Sequence, residues 1–225
     1  MCENVDVNDG LVSRRHDRGQ TPAVAVTDEA VEGIRAGKAV VLPTDTVYGL
    51  CVDAYREEPV RRLQRLKQRP EAMPIALLAA DLDAVLDAIP ELRGRAAVVA
   101  RALLPGPYTL VLPNPGRRFR WLTGTTPEAI GIRIPDLPEP ARAVLDRVGV
   151  VAATSANLHG DRDPARVEEI PDQIRAAVHA VVDVGPLPGT PSTVVDLTGR
   201  KPQVLREGAV AADEARARIA RVAAE

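Results

Sequence analysis

The 225-residue chain has few aromatic residues, few cysteines and no long apolar run. Its five aromatic residues, 2% of the chain, are too few to build the stacking platforms on which proteins bind single-stranded nucleic acid. Its two cysteines give neither a disulfide framework nor the spacing of a zinc site. No stretch approaches the roughly 18 apolar residues that a membrane-spanning helix needs, and residues 1–20 lack the apolar core of a signal peptide. We therefore expect a cytoplasmic protein that does not bind membranes.

Charge of one sign is also lacking, because 29 basic residues face 31 acidic ones and the net charge is -2. There is thus no overall field that would draw the chain to nucleic acid or anionic lipid, and any anion-binding site must be local. With 45% hydrophobic and 27% charged residues, the composition is that of a globular protein. Residues 1–20 are polar and aperiodic, which predicts a disordered N-terminal tail followed by one domain over 21–225.

Beyond residue 20, helical and strand patterns alternate irregularly. We predict a helix over 27–36, capped by Thr27 and ended by Gly37, then a strand over 39–42 and a loop over 43–53. Further strands are predicted at 75–79, 108–112, 130–134, 148–153, 180–184 and 193–197, and further helices at 59–68, from 81, and at 93–104, 139–146, 172–178 and 212–223. This mixed order predicts an α/β fold with a mixed twisted sheet and flanking helices.

Two cations stand close together at the end of a predicted helix. Pro70 biases Arg69 toward extended geometry, and residues two apart on an extended segment share a face, so Lys67 and Arg69 should converge. Such a pair suits a triphosphate, because an arginine forks onto oxygens and a lysine acts as a point charge. The alternative is that both simply complement the dipole at the C-terminus of the helix.

Polar residues follow two predicted buried strands, where open α/β sheets usually bind ligands. Ser155 and Asn157 follow one strand, and the segment 43–49, which contains Thr46, follows another. The alternative in both places is a local turn in which these side chains bond their own backbone. Histidines, cysteines and carboxylates give neither a nucleophile with its base nor metal-ligand spacing, so the chemistry must depend on cations and hydroxyls.

Arg133 lies inside an otherwise apolar predicted strand. A charge at such a position needs a partner, for example a ligand carboxylate, unless the strand is an exposed edge. Ser192 and Arg206 supply one more hydroxyl and one more cation.

Seven motifs, taken in order, resemble the YrdC-like family of threonylcarbamoyl-AMP synthases. They are PTDTVYGL (43–50), KQR (67–69), PGPYTLVLP (105–113), IGIRIPDLP (130–138), TSAN (154–157), STVVDLTG (192–199) and LREGAV (205–210). Each motif alone is modest, but their common order is specific. The resemblance covers about residues 30–210 and implies the short form of the family, a single YrdC-like domain with a central ligand cleft.

The resemblance implies that the chain makes threonylcarbamoyl-AMP and pyrophosphate from L-threonine, bicarbonate and ATP, for threonylcarbamoyladenosine in tRNA. It implies magnesium held mainly by the ATP phosphates, with no metal-ligating residue of the chain, and partner proteins that transfer the product to tRNA. It assigns catalysis to Lys67, Arg69, Ser155 and Asn157, ATP binding to Lys67, Arg69, Asn157 and Arg206, and threonine binding to Thr46, Arg133, Ser155 and Ser192.

Three positions depart from the pattern of the longer members. Leu78 stands where a threonine-contacting histidine often falls, Met73 where asparagine is common, and Ala165 where threonine is common. Leu78 cannot hydrogen-bond, so the selectivity for threonine over serine could differ.

Two other functions fit parts of the sequence. One is a carbamoyl-adenylate-forming domain of the kind found in larger carbamoyltransferases. The other is a structured-RNA-binding or ribosome-assembly module, with weak RNA binding through a basic cluster formed by Arg61, Arg62, Arg65, Lys67 and Arg69.

Overall fold

The computed structural model describes residues 23–222, which form one nine-stranded sheet and seven α-helices. The strands are β1 (Val40–Leu42), β2 (Gly49–Asp53), β3 (Ala76–Leu78), β4 (Tyr108–Pro113), β5 (Ala129–Arg133), β6 (Val151–Ser155), β7 (Ala180–Val181), β8 (Thr193–Asp196) and β9 (Gln203–Arg206). The helices are α1 (Ala23–Arg35), α2 (Glu57–Leu66), α3 (Leu82–Ala88), α4 (Gly94–Leu103), α5 (Glu139–Val148), α6 (Asp172–Ala177) and α7 (Ala212–Val222). The tail predicted at 1–20 lies outside the described residues.

The strands follow the order β7-β1-β2-β6-β3-β5-β4-β8-β9. The pairs β1/β7, β3/β5 and β4/β8 are parallel, and the other five are antiparallel. The predicted α/β fold with a mixed sheet and flanking helices is therefore confirmed. No helix within residues 23–222 is long and apolar enough to cross a membrane.

The two faces of the sheet differ in what covers them. In β4 and β5 burial alternates, so that Leu110 and Ile132 enter the main core while Thr109 and Gly131 stay partly exposed on the opposite face. Helices α1 and α5 cover that opposite face only over the half of the sheet around β1, β2 and β6. Among residues 23–222, no helix covers β5, β4 and β8 on this side, which makes room for a cleft.

Several predicted boundaries are wrong. The segment 43–53 is not all loop, because Gly49–Asp53 forms β2 between β1 and β6, and β9 was not predicted at all. β2 is extended because it pairs with β1 and with the distant β6, and β9 because it pairs with the preceding strand β8. The propensity of a short segment does not report such pairing. Helix α1 begins at Ala23, so Thr27 lies inside it and is not its N-cap.

At the other end of α1 the prediction holds, because Gly37 follows with a positive φ of 73°. The strand predicted at 148–153 is displaced, since α5 runs on to Val148 and β6 occupies Val151–Ser155. Ser155 is consequently the last residue of a strand rather than the start of a loop.

Candidate active site

The uncovered half of the sheet forms the floor of a cleft of about 490 Å³. Its floor consists of alternate strand residues: Ala76 and Leu78 of β3, Ala129, Gly131 and Arg133 of β5, Thr109 and Val111 of β4, and Val194 and Asp196 of β8. Most of these side chains are small, and this is what leaves space above the sheet. The predicted residues Arg69, Ser155, Ser192 and Arg206 also line the cleft, whereas Lys67, Thr46 and Asn157 are not among its lining residues.

Arg69 and Arg206 bring two positive charges to the same wall. Arg69 Nη2 donates to the carbonyl of Pro74 at 2.8 Å, and its Nε is buried without a partner among residues 23–222. Arg206 Nη2 donates to the Ser192 carbonyl at 2.8 Å. Burial, and then the nearby charge of Arg206, lower the pKa of Arg69. Two neighbouring guanidinium groups, one of which has a buried N–H donor without a protein acceptor, favour the binding of an anion at this wall of the cleft.

Lys67 does not converge with Arg69 in the predicted way. The segment is not extended, because Lys67 has α-helical φ and ψ values as the C-cap of α2 and Gln68 has a positive φ of 53°. The Lys67 side chain is only 1% exposed. Its Nζ donates to the Ser155 carbonyl at 2.5 Å, to Asn157 Oδ1 at 2.9 Å and to the Asn157 carbonyl. All three ammonium protons are thus used inside the protein.

Ser155 and Asn157 are tied together by these contacts. Ser155 Oγ donates to Asn157 Oδ1 at 2.6 Å, and Asn157 Nδ2 donates to the Asp161 carbonyl at 2.6 Å. The Asn157 amide oxygen therefore receives protons from both Ser155 and Lys67. This arrangement leaves the Ser155 hydroxyl oxygen as an acceptor on the cleft wall, with Asn157 behind it.

Burial affects the Lys67 ammonium strongly. Desolvation, and then the charge of Arg69, lower the pKa of Lys67 to about 8, while Asp163 and Asp161 oppose the shift. Lys67 therefore remains protonated at neutral pH but loses its proton within a biologically accessible range.

Arg133 has a protein partner that sequence reasoning did not anticipate. Its Nη2 donates to Asp45 Oδ1 at 2.7 Å, to Thr44 Oγ1 at 3.0 Å and to Thr46 Oγ1. The ion pair is well shielded, since both side chains are 12% exposed. The edge-strand alternative is wrong because β5 lies between β3 and β4. Arg133 Nε is buried without a partner among the described residues, so part of the guanidinium is still unsatisfied.

The loop that carries Thr46 forms a local turn and also supplies the acceptors of Arg133. Thr44 Oγ1 accepts from the backbone N–H groups of Thr46 and Val47, each at 3.2 Å, as in the predicted turn alternative. Thr46 itself is fully buried and does not line the cleft, but it contacts two residues that do, Thr44 and Arg133. The loop thus fixes the position of the guanidinium.

Ser192 is held between two cleft residues. Its Oγ lies 2.8 Å from Thr109 Oγ1 and 3.3 Å from Arg206 Nη2. Gly208 makes this packing possible, because a Cβ at Gly208 would lie 2.2 Å from the Pro191 carbonyl oxygen. The glycine of the LREGAV motif therefore allows the chain after β9 to approach the loop that carries Ser192.

Sequence reasoning missed several cleft residues. They are Thr109, Thr123, Thr125, Thr126, Asp163, Asp196 and Thr198. The signal for Asp196 was available, since Ser192, Val194 and Asp196 share one face at the two-residue period of a strand. Leu78, which stands at the position of the histidine, pairs with Arg133 across β3 and β5 and lines the cleft. Met73 and Ala165 are not among the lining residues.

Within residues 23–222, no three or more His, Cys, Asp or Glu side chains form a group that could hold a metal ion. The carboxylates of the cleft, Asp163 and Asp196, stand separately from each other in sequence and on different walls. This donor set does not make a protein cage for a cation, but it is compatible with an ion that brings its own phosphate and water ligands.

Comparison with known proteins identifies a family and a fold. The family model of the Sua5/YciO/YrdC proteins, described as "Telomere recombination", matches residues 32–208. A "putative threonylcarbamoyl-AMP synthase" of Mycobacterium tuberculosis (strain CDC 1551 / Oshkosh) is 35% identical over 185 residues, which cover 82% of this chain and 84% of that protein.

Two solved structures resemble the fold closely. Sua5 of P. abyssi in complex with L-threonine has a TM-score of 0.79 and 30% identity, over 89% of this chain and 59% of that one. E. coli YciO has a TM-score of 0.73 and 30% identity, over 83% of this chain and 90% of that one. The chain therefore spans about three fifths of the Sua5 structure and nine tenths of YciO.

Proposed function

The chain belongs to the Sua5/YciO/YrdC family, and we propose that it is an L-threonylcarbamoyladenylate synthase, a nucleotidyltransferase that consumes ATP, L-threonine and bicarbonate. The family resemblance of the seven motifs is confirmed by the matched model and relatives. The observation that carries the proposal is the convergence of Arg69, Arg133 and Arg206 on one cleft whose lining is otherwise mostly hydroxyl-bearing and apolar, with two carboxylates, Asp163 and Asp196. Such a cleft suits two anionic substrates that react with each other.

In this proposal the triphosphate binds Arg69 and Arg206. Arg69 Nε has no protein acceptor among residues 23–222, and Arg206 contributes a second guanidinium close by. Preorganised cations of this kind stabilise charge that develops on the phosphates without reorganising during the reaction. The Ser155 hydroxyl lies on the same cleft and is held in direction by Asn157.

In this proposal the threonine carboxylate binds Arg133. Asp45 already neutralises much of this guanidinium, but the Nε is left without a protein acceptor within 23–222. The Thr109 hydroxyl on β4 and the Ser192 hydroxyl just before β8 also line the cleft, and Leu78 on β3 gives apolar cover beside Arg133. The L-threonine bound in the related P. abyssi structure supports this substrate.

The chemistry needs positioning more than a strong base. The amine of threonine captures carbon dioxide derived from bicarbonate, and the carbamate oxygen then attacks the α-phosphorus in line. A new bond forms between that oxygen and the phosphorus, the bond to the β-phosphate oxygen breaks, and pyrophosphate leaves. The nucleophile is already anionic, which is consistent with a cleft that holds cations and hydroxyls in place of a nucleophile with its base.

In this proposal Lys67 acts from behind the cleft wall. Its three hydrogen bonds hold the Ser155 and Asn157 backbone and the Asn157 amide, so the ammonium shapes the wall that faces the α-phosphate. Magnesium would be held mainly by the ATP phosphates, where it would supply positive charge to the leaving pyrophosphate. Of the cleft carboxylates, Asp163 is the one whose charge acts on Lys67. The product then passes to proteins that modify tRNA in the cytoplasm.

A role as an RNA-binding module has less support. The arginines of α2 that formed the basic cluster are paired with acidic neighbours: Arg61 with Glu57, and Arg62 and Arg65 with Glu58. These pairs reduce the local field that phosphate binding requires.

The proposal is tested by incubating the full chain with ATP, magnesium, bicarbonate and one amino acid at a time. Pyrophosphate and the adenylate, identified by mass, should form with threonine and only when bicarbonate is present. Carbamoyl phosphate in place of threonine and bicarbonate should give neither product, which separates this function from a carbamoyl-adenylate former. Pyrophosphate release that is independent of threonine would contradict the proposal. Arg69→Ala should abolish product formation, and Arg216→Ala, at an exposed position of α7 that does not line the cleft, is its control.

A further inference from the structure

The cleft is electrostatically uneven along its length. The basic residues that line it, within 23–222, are Arg69, Arg133 and Arg206. Strand registers place Arg133 in the row of Thr109 and Val194, and Arg206 also pairs with Val194. Asp196 lies in the next cleft-facing row, opposite Val111 and Gly131. One end of the floor is therefore cationic, and the next row carries a carboxylate.

The distance between the two ends suits part of a nucleotide. Ser192, which accepts from Arg206, and Asp196 are four residues apart along one extended segment, or about 13 Å at the rise of a strand. The reach of both side chains shortens this gap. A triphosphate at the arginines cannot extend toward Asp196, because the carboxylate would repel it. What lies over Asp196 must be the uncharged part of the nucleotide.

Asp196 and Thr198 present two hydrogen-bond acceptors side by side. Asp196 Oδ1 accepts from the Thr198 backbone N–H at 2.8 Å and from Thr198 Oγ1 at 2.6 Å. Asp196 Oδ2 accepts no hydrogen bond from residues 23–222. Thr198 Oγ1 donates its only hydrogen bond to Asp196, and its lone pairs remain free to accept one from a ligand. Two adjacent acceptors match two adjacent hydroxyl donors.

We propose that Asp196 and Thr198 bind the 2′- and 3′-hydroxyls of the ATP ribose and so make the cleft selective for ribonucleotides. The proposal rests on the proposed function, because it takes the triphosphate to lie at Arg69 and Arg206. The small side chains of Gly131 and Ala129 on the adjoining floor leave room for the sugar above the sheet. The Asp196 carboxylate sets the orientation of the nucleotide in the cleft: the ribose lies over Asp196, and the phosphates point toward Arg69 and Arg206.

The test is a set of binding titrations that do not depend on turnover. The full chain is titrated by calorimetry with magnesium and each of four triphosphates: ATP, 2′-deoxy-ATP, 3′-deoxy-ATP and the triphosphate of purine riboside, which lacks the 6-amino group. The variants are Asp196→Asn and Thr198→Val. The matched control is Asp163→Asn, which removes the other carboxylate of the cleft. Thermal melts check that each variant is folded.

The unaltered chain should bind ATP about tenfold or more tightly than at least one of the deoxynucleotides, the factor expected for a hydrogen bond to a charged group. Asp196→Asn should remove most of this preference, whereas Asp163→Asn should keep it whatever its effect on ATP itself. No preference in the unaltered chain, or a preference that survives in Asp196→Asn, would overturn the inference. The inference would also be overturned if Asp196→Asn lost only the distinction between ATP and the purine riboside triphosphate. Asp196 would then contact the 6-amino group of the base and not the ribose.

If Asp196→Asn does not fold, Thr198→Val decides the question, since Thr198 is exposed and its loss should weaken discrimination against one of the two deoxynucleotides. Unchanged discrimination in Thr198→Val would then contradict the proposal. Failure of the proposed function looks different. In that case the chain still distinguishes ATP from its deoxy forms, but forms no threonine-dependent pyrophosphate.

Discussion

At the scale of single residues, two of the three cleft arginines are fixed by protein contacts and still have one unsatisfied donor. Arg69 is fixed by the Pro74 carbonyl and Arg133 by Asp45, and in both the Nε is buried without a partner among the described residues. A side chain fixed in this way loses little further entropy when a ligand binds. The donors are therefore placed before the substrates arrive.

Arg69→Lys should reduce adenylate formation severely although the charge is kept. A lysine ammonium cannot fork onto two phosphate oxygens, and it cannot at once replace the bond to Pro74. The measurement is pyrophosphate release with ATP, threonine and bicarbonate, and Arg216→Lys on α7 is the control. Near-normal turnover in Arg69→Lys would show that the bidentate contact is not used.

Arg133→Ala should raise the threonine requirement about ten- to a hundredfold and the ATP requirement much less. The estimate corresponds to one charge-assisted hydrogen bond of about 1.5 to 3 kcal/mol. Because the variant also leaves Asp45 without its partner, it should lower the melting temperature. Asp45→Asn is the companion variant, since it loosens the same ion pair but keeps the guanidinium and should keep threonine affinity. Equal losses of ATP and threonine affinity in Arg133→Ala would place Arg133 in the nucleotide site.

The lowered pKa of Lys67 predicts an alkaline limit to activity near pH 8. The neutral amine has two protons for three acceptors, so the Ser155–Asn157 wall should loosen as pH rises through about 8. Lys67 should affect stability in the opposite direction: between about 8 and its ordinary value of 10.5 the unfolded chain binds the extra proton, so the contribution of Lys67 to stability rises with pH.

The two effects are separated by a pH–rate profile and by melts over the same range. In Lys67→Arg, whose charge does not titrate here, the alkaline limb of the rate should move to higher pH. If the alkaline limb of the pH–rate profile is unchanged in Lys67→Arg, the ionisation that limits the rate belongs to another group, for example the amine of threonine.

At the scale of elements, the sequence predicted best those strands whose two faces differ. β4 and β5 alternate between core and cleft. The predicted bounds differ from those in the structure by one residue at one end of β4 and by one residue at each end of β5. The strand β2 was missed because PTDTVYG reads as a turn up to its first residue, and only pairing with β1 and β6 makes 49–53 extended. The geometry of Lys67 was missed because it depends on a left-handed Gln68 and on carbonyls about 90 residues away.

The small residues of the floor predict a variant that blocks the cleft without unfolding the sheet. A Cβ at Gly131 would meet Ala76 at 3.7 Å and Thr109 at 3.8 Å, which are ordinary contacts. Gly131→Val should therefore fold, since valine suits strands, while its methyl groups fill the space above the sheet. Titrations should show weaker binding of ATP or threonine with a nearly unchanged melting temperature. Gly199→Val, outside the cleft on an exposed turn, is the control, and unchanged binding in Gly131→Val would mean that ligands do not approach this floor.

At the scale of the whole molecule, the cleft joins residues that are far apart in sequence, from Thr44 to Arg206. Residue patterns singled out Arg69, Arg133, Ser155, Ser192 and Arg206 one at a time, and the resemblance of seven ordered motifs assigned them to one site. All five line the cleft. No role was assigned to Asp45, Asp163 or Asp196, because their roles arise from packing: an ion pair with Arg133, a carboxylate near a buried lysine, and a carboxylate one strand row beyond the arginines.

The described cleft also predicts that residues 1–20 are dispensable for catalysis. All the residues that line it, within the part of the chain the structure describes, lie between Thr44 and Arg206, and no family motif falls before residue 43. The competing hypothesis is that Arg14, Arg15 and Arg18 serve as a basic arm over the phosphates. A chain that begins at Thr21 separates the two. Its dependence on ATP and threonine should match that of the full chain, whereas a selective loss of ATP affinity, greater at low than at high salt, would establish the arm.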